Sequence, residues 1–560
     1  MSKTAGSGRV LFKAYLSLEN GNGLKKMVFT LHRYIFRELI KVFVLAAVAL
    51  TLILSLGSIL RPVQEYGAGP RQVIHLMGYF LPITLTFVLP MAALFAASLV
   101  YGRFAYDNEL DACRASGINL LTLVYPGLAL AIMVATANLI LSFYVMPVFV
   151  HRAEKSLKAD AQQILFCNIQ QKGFYKSPDN RYLIYADLAD PKNNILAGIV
   201  VADVKNSEIK KIITAESAKV HFNPHERYNE LQIMAHNTYQ LGSENEGWFF
   251  FEWLPLTKEF PSLLGDNIKF KKIDEIKKIR DVDPMLFEPI EKLARQTYVQ
   301  FTTELLAQDI AEKITGKTDN SYKLYNNEIF VDFTAGQCRI LDYGKAEISE
   351  KVVVSESDAA TRKLLRTLRC ERALLFVEGD ELSPTLTMEL QSPTWRRPDG
   401  TEGIAQRYII RGLVLPVAVT DKLENTDVLK AVSPASVASA LKKGPGKILT
   451  DLQKGLQKEI WRIMAEIDAE INSRLVFGIG CVSVIMIGIG LGIILKGGHL
   501  LSAFGVSSVP AAMLVVCIMM GKNIATNPSA KAGSGVILMW AGLVLLTALA
   551  AGIYHKLLKN

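Results

Sequence analysis

Histidine and cysteine are scarce in this chain, eight and six residues out of 560, and their spacing excludes several classes of chemistry. No two cysteines form a CxxC pair, so neither a zinc knuckle nor a thioredoxin-like dithiol is encoded. There is no HExxH, no GxSxG and no dinucleotide fingerprint. The nearest approach to a phosphate loop, Gly444-Pro445-Gly446-Lys447, is followed by Ile448 and lies in a Ser/Pro/Gly-rich linker over 433–447. Acidic pairs such as Asp380/Glu381 read as solvated turns rather than as acid–base pairs. The expectation is a protein that is not an enzyme, without metal or cofactor, whose work draws on the energy of a partner.

Charge is missing over six long stretches. Residues 42–60, 72–102, 115–150, 475–495, 497–521 and 532–555 hold no Asp, Glu, Lys or Arg. Each is long enough to cross a bilayer as a helix, which needs about 20 apolar residues. Nothing between Arg152 and Arg474 is both apolar enough and long enough to join them. The expected fold class is a polytopic α-helical membrane protein with six transmembrane helices (3+3) and a large periplasmic β-rich, jelly-roll-like domain inserted between helices 3 and 4. Lys25, Lys26, Arg33, Arg37 and Lys41 precede the first span, which places both termini in the cytoplasm and the insert outside.

The expected boundaries follow. Residues 1–41 form a cytoplasmic leader and the start of helix 1, with Met27 an alternative first residue. Residues 42–150 hold helices 1–3, with a short cytoplasmic helix at 103–117. Residues 151–473 form the periplasmic domain, enlarged over 271–432 and ending in a helical stem at 448–473. Residues 474–560 hold helices 4–6. Alternating apolar text at 181–187, 195–201, 209–220, 231–235 and 248–253 predicts antiparallel strands in a sandwich or jelly roll. Strand-like text returns at 328–333, 351–354, 372–377, 385–390 and 407–415. It fits either a second sandwich or an enlargement of the first. Cys167, Cys338 and Cys370 fall in this block, where one disulfide stays open.

The stretch around which the chain is organised is Asp107-Asn108-Glu109-Leu110-Asp111-Ala112-Cys113-Arg114-Ala115-Ser116-Gly117, a polar wedge between two charge-free runs. On a helical wheel Asp107, Asp111 and Arg114 share one face, and Leu110, Cys113 and Gly117 another. Asp107 is the expected N-cap, and Glu109 suits the positive end of the helix dipole. Two readings fit: a short amphipathic helix offered to a soluble partner, or a charged turn that keeps two helices in register. At the outer ends of the spans stands a second constellation, Arg61, Arg71, Arg152, Lys155, Lys158 and Arg474, with Lys522 and Lys531. A basic belt beside low-dielectric lipid attracts anionic head groups. Alternatively each cation anchors its own helix by snorkelling. Pro82 and Pro90 kink the second span, which is tolerable where neighbouring helices or water satisfy the freed carbonyls.

These residues reach a known family. Leu89-Pro90-Met91-Ala92-Ala93-Leu94, followed by Asp107-Asn108-Glu109-Leu110 and Ala115-Ser116-Gly117, resembles the second helix and coupling helix of the LptF/LptG (YjgP/YjgQ) permeases of the lipopolysaccharide exporter. His32-Arg33-Tyr34-Ile35 is similar to the family's start, and Ile212-Ile213-Thr214-Ala215-Glu216-Ser217-Ala218 to a strand of its external domain. The likeness extends over 27–255 and 471–559. It implies an inner-membrane permease subunit that extracts lipopolysaccharide or a related anionic glycolipid. The partners implied are a cytoplasmic ABC ATPase dimer, a second permease subunit of the same type (identical or paralogous) and a periplasmic bridge protein of jelly-roll type, with no nucleic acid. The ATPase-coupling residues implied are Asp107, Glu109, Leu110, Asp111, Arg114 and Gly117. Arg61 matches a basic residue that holds the lipid's phosphates, and the rest of the belt is expected to join it. Ile83 sits where the family has a basic residue within the second helix, and the insert is larger than the family's usual domain. Two other readings stand beside this one: an export permease of another ABC class, and a membrane-anchored receptor or scaffold.

Overall fold

The computed structural model describes residues 29–55, 57, 70–159, 161–177, 182–205, 208–224, 229–241, 248–260, 267–315, 321–342, 344–378, 385–424, 441, 444–495, 500–531 and 533–559. The leader over 1–26, Met27, Arg61 and most of the 433–447 linker lie outside the described residues. The chain divides into two compact units, Met1–Ile276 with Ala465–Asn560, and Lys277–Met464.

Six helices of the described residues are long and apolar enough to cross a membrane, three before the strands in chain order and three after. The first is α1 (Phe29–Ser55). Then come α2 (Pro70–Tyr106), the short α3 (Glu109–Ala115) and α4 (Leu120–Ile140). A π-helical turn at Leu141–Val145 joins α4 to α5 (Met146–Ala159), so that the third span runs over Leu120–Ser156. The last three spans lie on α10 (Lys447–Ile494), α11 (Leu500–Ala525) and α12 (Ser534–Lys559). At 48 residues α10 is roughly 70 Å long, more than twice a bilayer's hydrocarbon core.

Lipid tails give helices no hydrophobic reason to associate, so close packing and interhelical hydrogen bonds must do it. Both are present. A Cβ on Gly488 would stand 2.6 Å from Leu94 Cδ1, and one on Gly492 2.8 Å from the Ser98 carbonyl oxygen, so only glycine lets α10 lie this close to α2. The prolines supply the hydrogen bonds. Pro90 has no N–H to offer the carbonyl four residues back, Thr86, and Asn138 Nδ2 of α4 donates to that oxygen at 3.2 Å. Pro126 likewise leaves the Thr122 carbonyl without its helical donor, and His32 Nε2 of α1 lies 2.8 Å from it. One residue on, the Tyr101 hydroxyl enters the ladder of α4, accepting from Gly127 N at 3.2 Å and donating to the Leu123 carbonyl at 2.9 Å. The interruptions at Pro90 and Pro126 are thus each answered by a side chain from another helix.

In the first unit α6 (Ala161–Lys172) leads into a six-stranded sheet. Its strands are β1 (Phe174–Lys176), β2 (Tyr182–Asp190), β3 (Ile195–Lys205), β4 (Glu208–Pro224), β5 (Asn229–Leu241) and β6 (Trp248–Phe260). Each strand pairs antiparallel with the next in sequence. This corrects the jelly-roll expectation: the order is that of an up-and-down meander, without the Greek-key crossing of a jelly roll. Alternation predicts where strands lie but not which strand is whose neighbour. Ile164, Leu165, Phe166 and Ile169 of α6 cover one face, packed with Ile184, Ile199, Val220, Leu231 and Ile233.

The second unit answers the question the sequence leaves open. It is a separate sheet built on α7 (Ile273–Asp281), which starts just before the unit, and α8 (Glu288–Thr315), with the short α9 (Val417–Glu424) after its last strand. Its strands are β7 (Tyr322–Tyr325), β8 (Ile329–Thr334), β9 (Gln337–Asp342), β10 (Lys345–Asp358), β11 (Leu364–Glu378), β12 (Thr385–Gln391), β13 (Thr394–Arg396), β14 (Glu402–Ile404) and β15 (Arg407–Val414). The pairings β7–β8–β10–β11–β12–β15 return to β7 through Val414 opposite Tyr325 and close an antiparallel barrel. β9 and the β13–β14 hairpin hang from β10 and β11. Phe301, Leu305, Leu306 and Ile310 of α8 share one core with Phe333, Val354, Leu375, Met388 and Leu413. The six cysteines are free thiols. Burial pushes Cys338 up to about 12 and Cys370 to about 11, which leaves both unreactive at neutral pH.

Candidate functional site

Helix α2 ends at Tyr106, and its last turn is closed by the chain that follows: Asp107 N donates to the Arg103 carbonyl at 2.9 Å, and the two side chains pair at 3.5 Å. Asn108 then takes a left-handed backbone, φ 58°, which turns the chain sharply into α3. Asp107 therefore finishes α2 and does not cap α3. Asn108 holds the N-cap position without a side-chain cap, and Glu109 and Asp111 occupy the first turn. At the far end Gly117, φ +86°, donates its N–H to the Arg114 carbonyl while Ile118 N donates to the Cys113 carbonyl, the closing pattern that favours glycine.

One face of α3 is fixed. Leu110 is 3 % exposed and packs with Ile35 and Leu39 of α1, Phe104 and Ala105 of α2, Ile118, Leu120 and Ile493. Cys113 packs against the same cluster, and burial followed by the Glu109 charge pushes its thiol above the ordinary range. The other face is open: Asp107, Asn108, Glu109, Ala112, Arg114, Ser116 and Gly117 are exposed, and Asp111 is half-buried. Leu110, expected among the residues offered to a partner, is thus an inward anchor, because a seven-residue helix has too few hydrogen bonds to hold itself and depends on burial. The remaining residues form a ridge with an acidic leading edge. Tyr106, 63 % exposed, stands beside it.

The belt cations fare differently from one another. Arg152 and Lys155 are exposed, Arg152 at 5.6 Å from the Phe149 ring centroid. Arg71 and Lys158 belong to described helices, with side chains outside the described part. Arg474 is not on the surface: its side chain is 3 % exposed. Its Nε donates to Glu470 Oε1 at 3.0 Å, Nη1 to the Ser142 carbonyl in the π turn at 3.1 Å, and Nη2 to the Lys269 carbonyl at 2.8 Å. Lys522 Nζ completes the group at 2.6 Å from Glu470 Oε2. A buried guanidinium needs a partner and filled hydrogen bonds, and here it has both. Arg474 is therefore a clamp between α10, the third span and the chain before α7, which corrects its assignment to the open belt. Sequence reasoning missed Glu470. The signal was its spacing, four residues before Arg474 on one helix face.

Residues 33–292, a little under half of the chain, match the family described as lipopolysaccharide export system permease LptF/LptG. The range takes in the first three spans, α3 and the six-stranded sheet, and ends within α8. The chain is also 21 % identical over 187 residues to "Uncharacterized protein RP871" of Rickettsia prowazekii (strain Madrid E), covering 33 % of this chain and 51 % of that protein. The chain thus spans about half the length of that relative. This is a multi-pass membrane protein, and over residues 33–292 the family that its 89–117 stretch resembles, the LptF/LptG permeases, is the family it matches.

Proposed function

We propose that this chain is a transmembrane permease subunit of an ABC transporter that extracts lipopolysaccharide, or a related anionic glycolipid, from the inner membrane. The observation that carries the reading is the α3 ridge: an exposed acidic edge held rigidly on α2 by a buried leucine, inside the family-matched range. A push on such a ridge moves α2 rather than bending the turn. A separate cytoplasmic ATPase dimer supplies that push, with Asp107, Glu109, Asp111, Arg114 and Gly117 at the contact. The sheet then lies in the periplasm and hands the lipid to a periplasmic bridge protein of jelly-roll type. In support, β6 pairs only with β5 among the described residues, which leaves an edge for strand addition. A second permease subunit packs beside this one, and the two enclose the lipid's path; Leu45, Val48, Leu52 and Ile53 of α1 present an exposed apolar face. Arg61, Arg71, Arg152, Lys155 and Lys158 meet the lipid's anionic groups.

Glu109→Arg is expected to leave the protein folded and to uncouple lipid release from ATP hydrolysis in reconstituted vesicles; unchanged release per ATP would defeat the coupling assignment. Arg61→Glu is expected to weaken photocrosslinking to anionic glycolipid severalfold, and equal crosslinking would return Arg61 to helix anchoring. Copurification of a soluble ATPase with the full chain separates this reading from a receptor or scaffold.

A further inference from the structure

Two adjoining hollows open on the wall of the barrel unit, about 750 Å³ and about 820 Å³, sharing Arg369 and Thr394. Arg369 and Thr394 face each other across the β11–β13 pairing, so the two hollows meet on one short stretch of backbone. The first lies under the β13–β14 hairpin. There Trp395 lies across Gly403, where a Cβ would stand 2.5 Å from Cζ2 of the indole, and the Arg397 guanidinium sits 5.4 Å from its ring centroid. The second hollow is bordered by the bulge that separates Ser349 from Val352 in β10.

Charge and strain both single this groove out. Of its cations, Arg396 is paired with Glu402 at 3.0 Å, and Arg372 approaches Glu347 at 3.9 Å. Arg369 and Lys351 have no carboxylate partner among the described residues. Asp399, the acid nearest Arg397 along the chain, accepts from Thr401 N at 2.9 Å and also feels the Arg397 charge, and Glu371 lines the second hollow. Glu350, Lys351 and Ser392 all take left-handed backbones, φ 67°, 55° and 46°, without being glycine. Such a backbone is costly for a residue that carries a Cβ, and it persists where the surroundings enforce it, often at binding sites. Here it brings Lys351 and Ser392 to the rim of one hollow.

We propose that this groove binds an anionic oligosaccharide, its phosphate or carboxylate groups on Arg369, Arg397 and Lys351 and its hydroxyls on Gln391, Ser392 and Thr394. Cations interleaved with neutral hydrogen-bonding side chains match a ligand that alternates charge with hydroxyl groups. Concave walls suit a branched glycan better than a flat membrane. A single tryptophan already covered by a glycine strand and an arginine is not the row of stacking platforms that a nucleic acid strand needs. The glycan has two possible sources, a free saccharide or the head group of a glycolipid, and both present the same chemistry. The proposal stands on the barrel unit alone and is independent of the permease reading.

The test is binding to the full-length protein in detergent micelles. The probes are a fluorescently labelled phosphorylated oligosaccharide made by deacylating lipopolysaccharide, the same after phosphatase treatment, neutral maltohexaose, and intact lipopolysaccharide in mixed micelles. The phosphorylated oligosaccharide is expected to bind. Phosphatase treatment or the double change Arg369→Gln/Arg397→Gln should weaken it at least about tenfold, since two charge-assisted contacts are lost. Arg369→Lys/Arg397→Lys, which keeps the charge, should retain most of the affinity and guards against a folding artefact, as does an unchanged melting temperature. Tighter, groove-dependent binding of the intact lipid identifies a head group as the source, and equal binding identifies a free glycan. Undiminished binding by the double glutamine variant would overturn the proposal. So would maltohexaose binding as well as the phosphorylated probe, or a single-stranded RNA binding more tightly than the probe in a groove-dependent way.

Discussion

At the end of the helical unit where α3 lies, charge is left in the open and a leucine does the holding. At the other end, charge is drawn inward and does the holding itself. The two ends are joined by α10, whose Ile493 packs in the same cluster as Leu110 while Arg474 lies nineteen residues, roughly 28 Å, away. Leu110 fixes a ridge on which Glu109 and Arg114 stay exposed and Asp107 pairs with Arg103. Glu470, Arg474 and Lys522 are instead spent on each other and on the Ser142 and Lys269 carbonyls. The lesson is that a basic residue near the end of a span is not thereby a ligand site: the same residue type serves binding when exposed and architecture when buried.

Three substitutions sharpen the contrast. Glu470→Gln should have the largest effect, because it leaves Arg474 buried without its counter-charge, a loss of about 3–5 kcal/mol. A large fall in melting temperature is expected, and a fall no greater than that of an exposed substitution such as Arg114→Gln would break the comparison. Leu110→Ala comes next, at about 2–5 kcal/mol if the cavity does not collapse. Its signature should be local: faster hydrogen exchange over α3 and Ile118, with the Glu470 end unaffected. The smallest concerns the proline-orphaned carbonyl. Asn138→Ala should cost about 0.6–1.7 kcal/mol, the range for interhelical hydrogen bonds in membranes. In a Pro90→Ala background, where the new backbone N–H restores the helical donor to the Thr86 carbonyl, the same change should cost less. Additivity of the two changes in a thermal double-mutant cycle would show that Asn138 does not serve that carbonyl.

Much of the fold was legible. The six apolar runs appear as six helices, and the strand text of 181–253 as β2 to β6, because burial imposes a period on sequence that survives any arrangement. The amphipathic sorting of α3 was legible in part for the same reason: Leu110 and Cys113 face inward, as the wheel has them, while Gly117, put on that face, lies past the helix end and is exposed. Strand order was not, since alternation is the same in a meander and a jelly roll. β1, β7, β13 and β14 escaped because strands of three or four residues give too short a pattern, and β9 escaped at six. The partner of Arg474 was hidden for another reason: its carbonyl acceptors lie 332 and 205 residues away, and backbone oxygens leave no mark on sequence.

The sequence alone determined that this chain crosses a membrane, where it does so, and that a polar helix interrupts the crossings, because each of these follows from counting apolar residues against a fixed bilayer thickness. Only the tertiary structure decided that Asn138 and His32 answer prolines on other elements of the bundle, that Arg474 is a clamp, and that the strands after α8 close into a barrel. Those outcomes depend on which distant groups meet, and hydrogen-bond geometry across hundreds of residues has no period for a sequence to display.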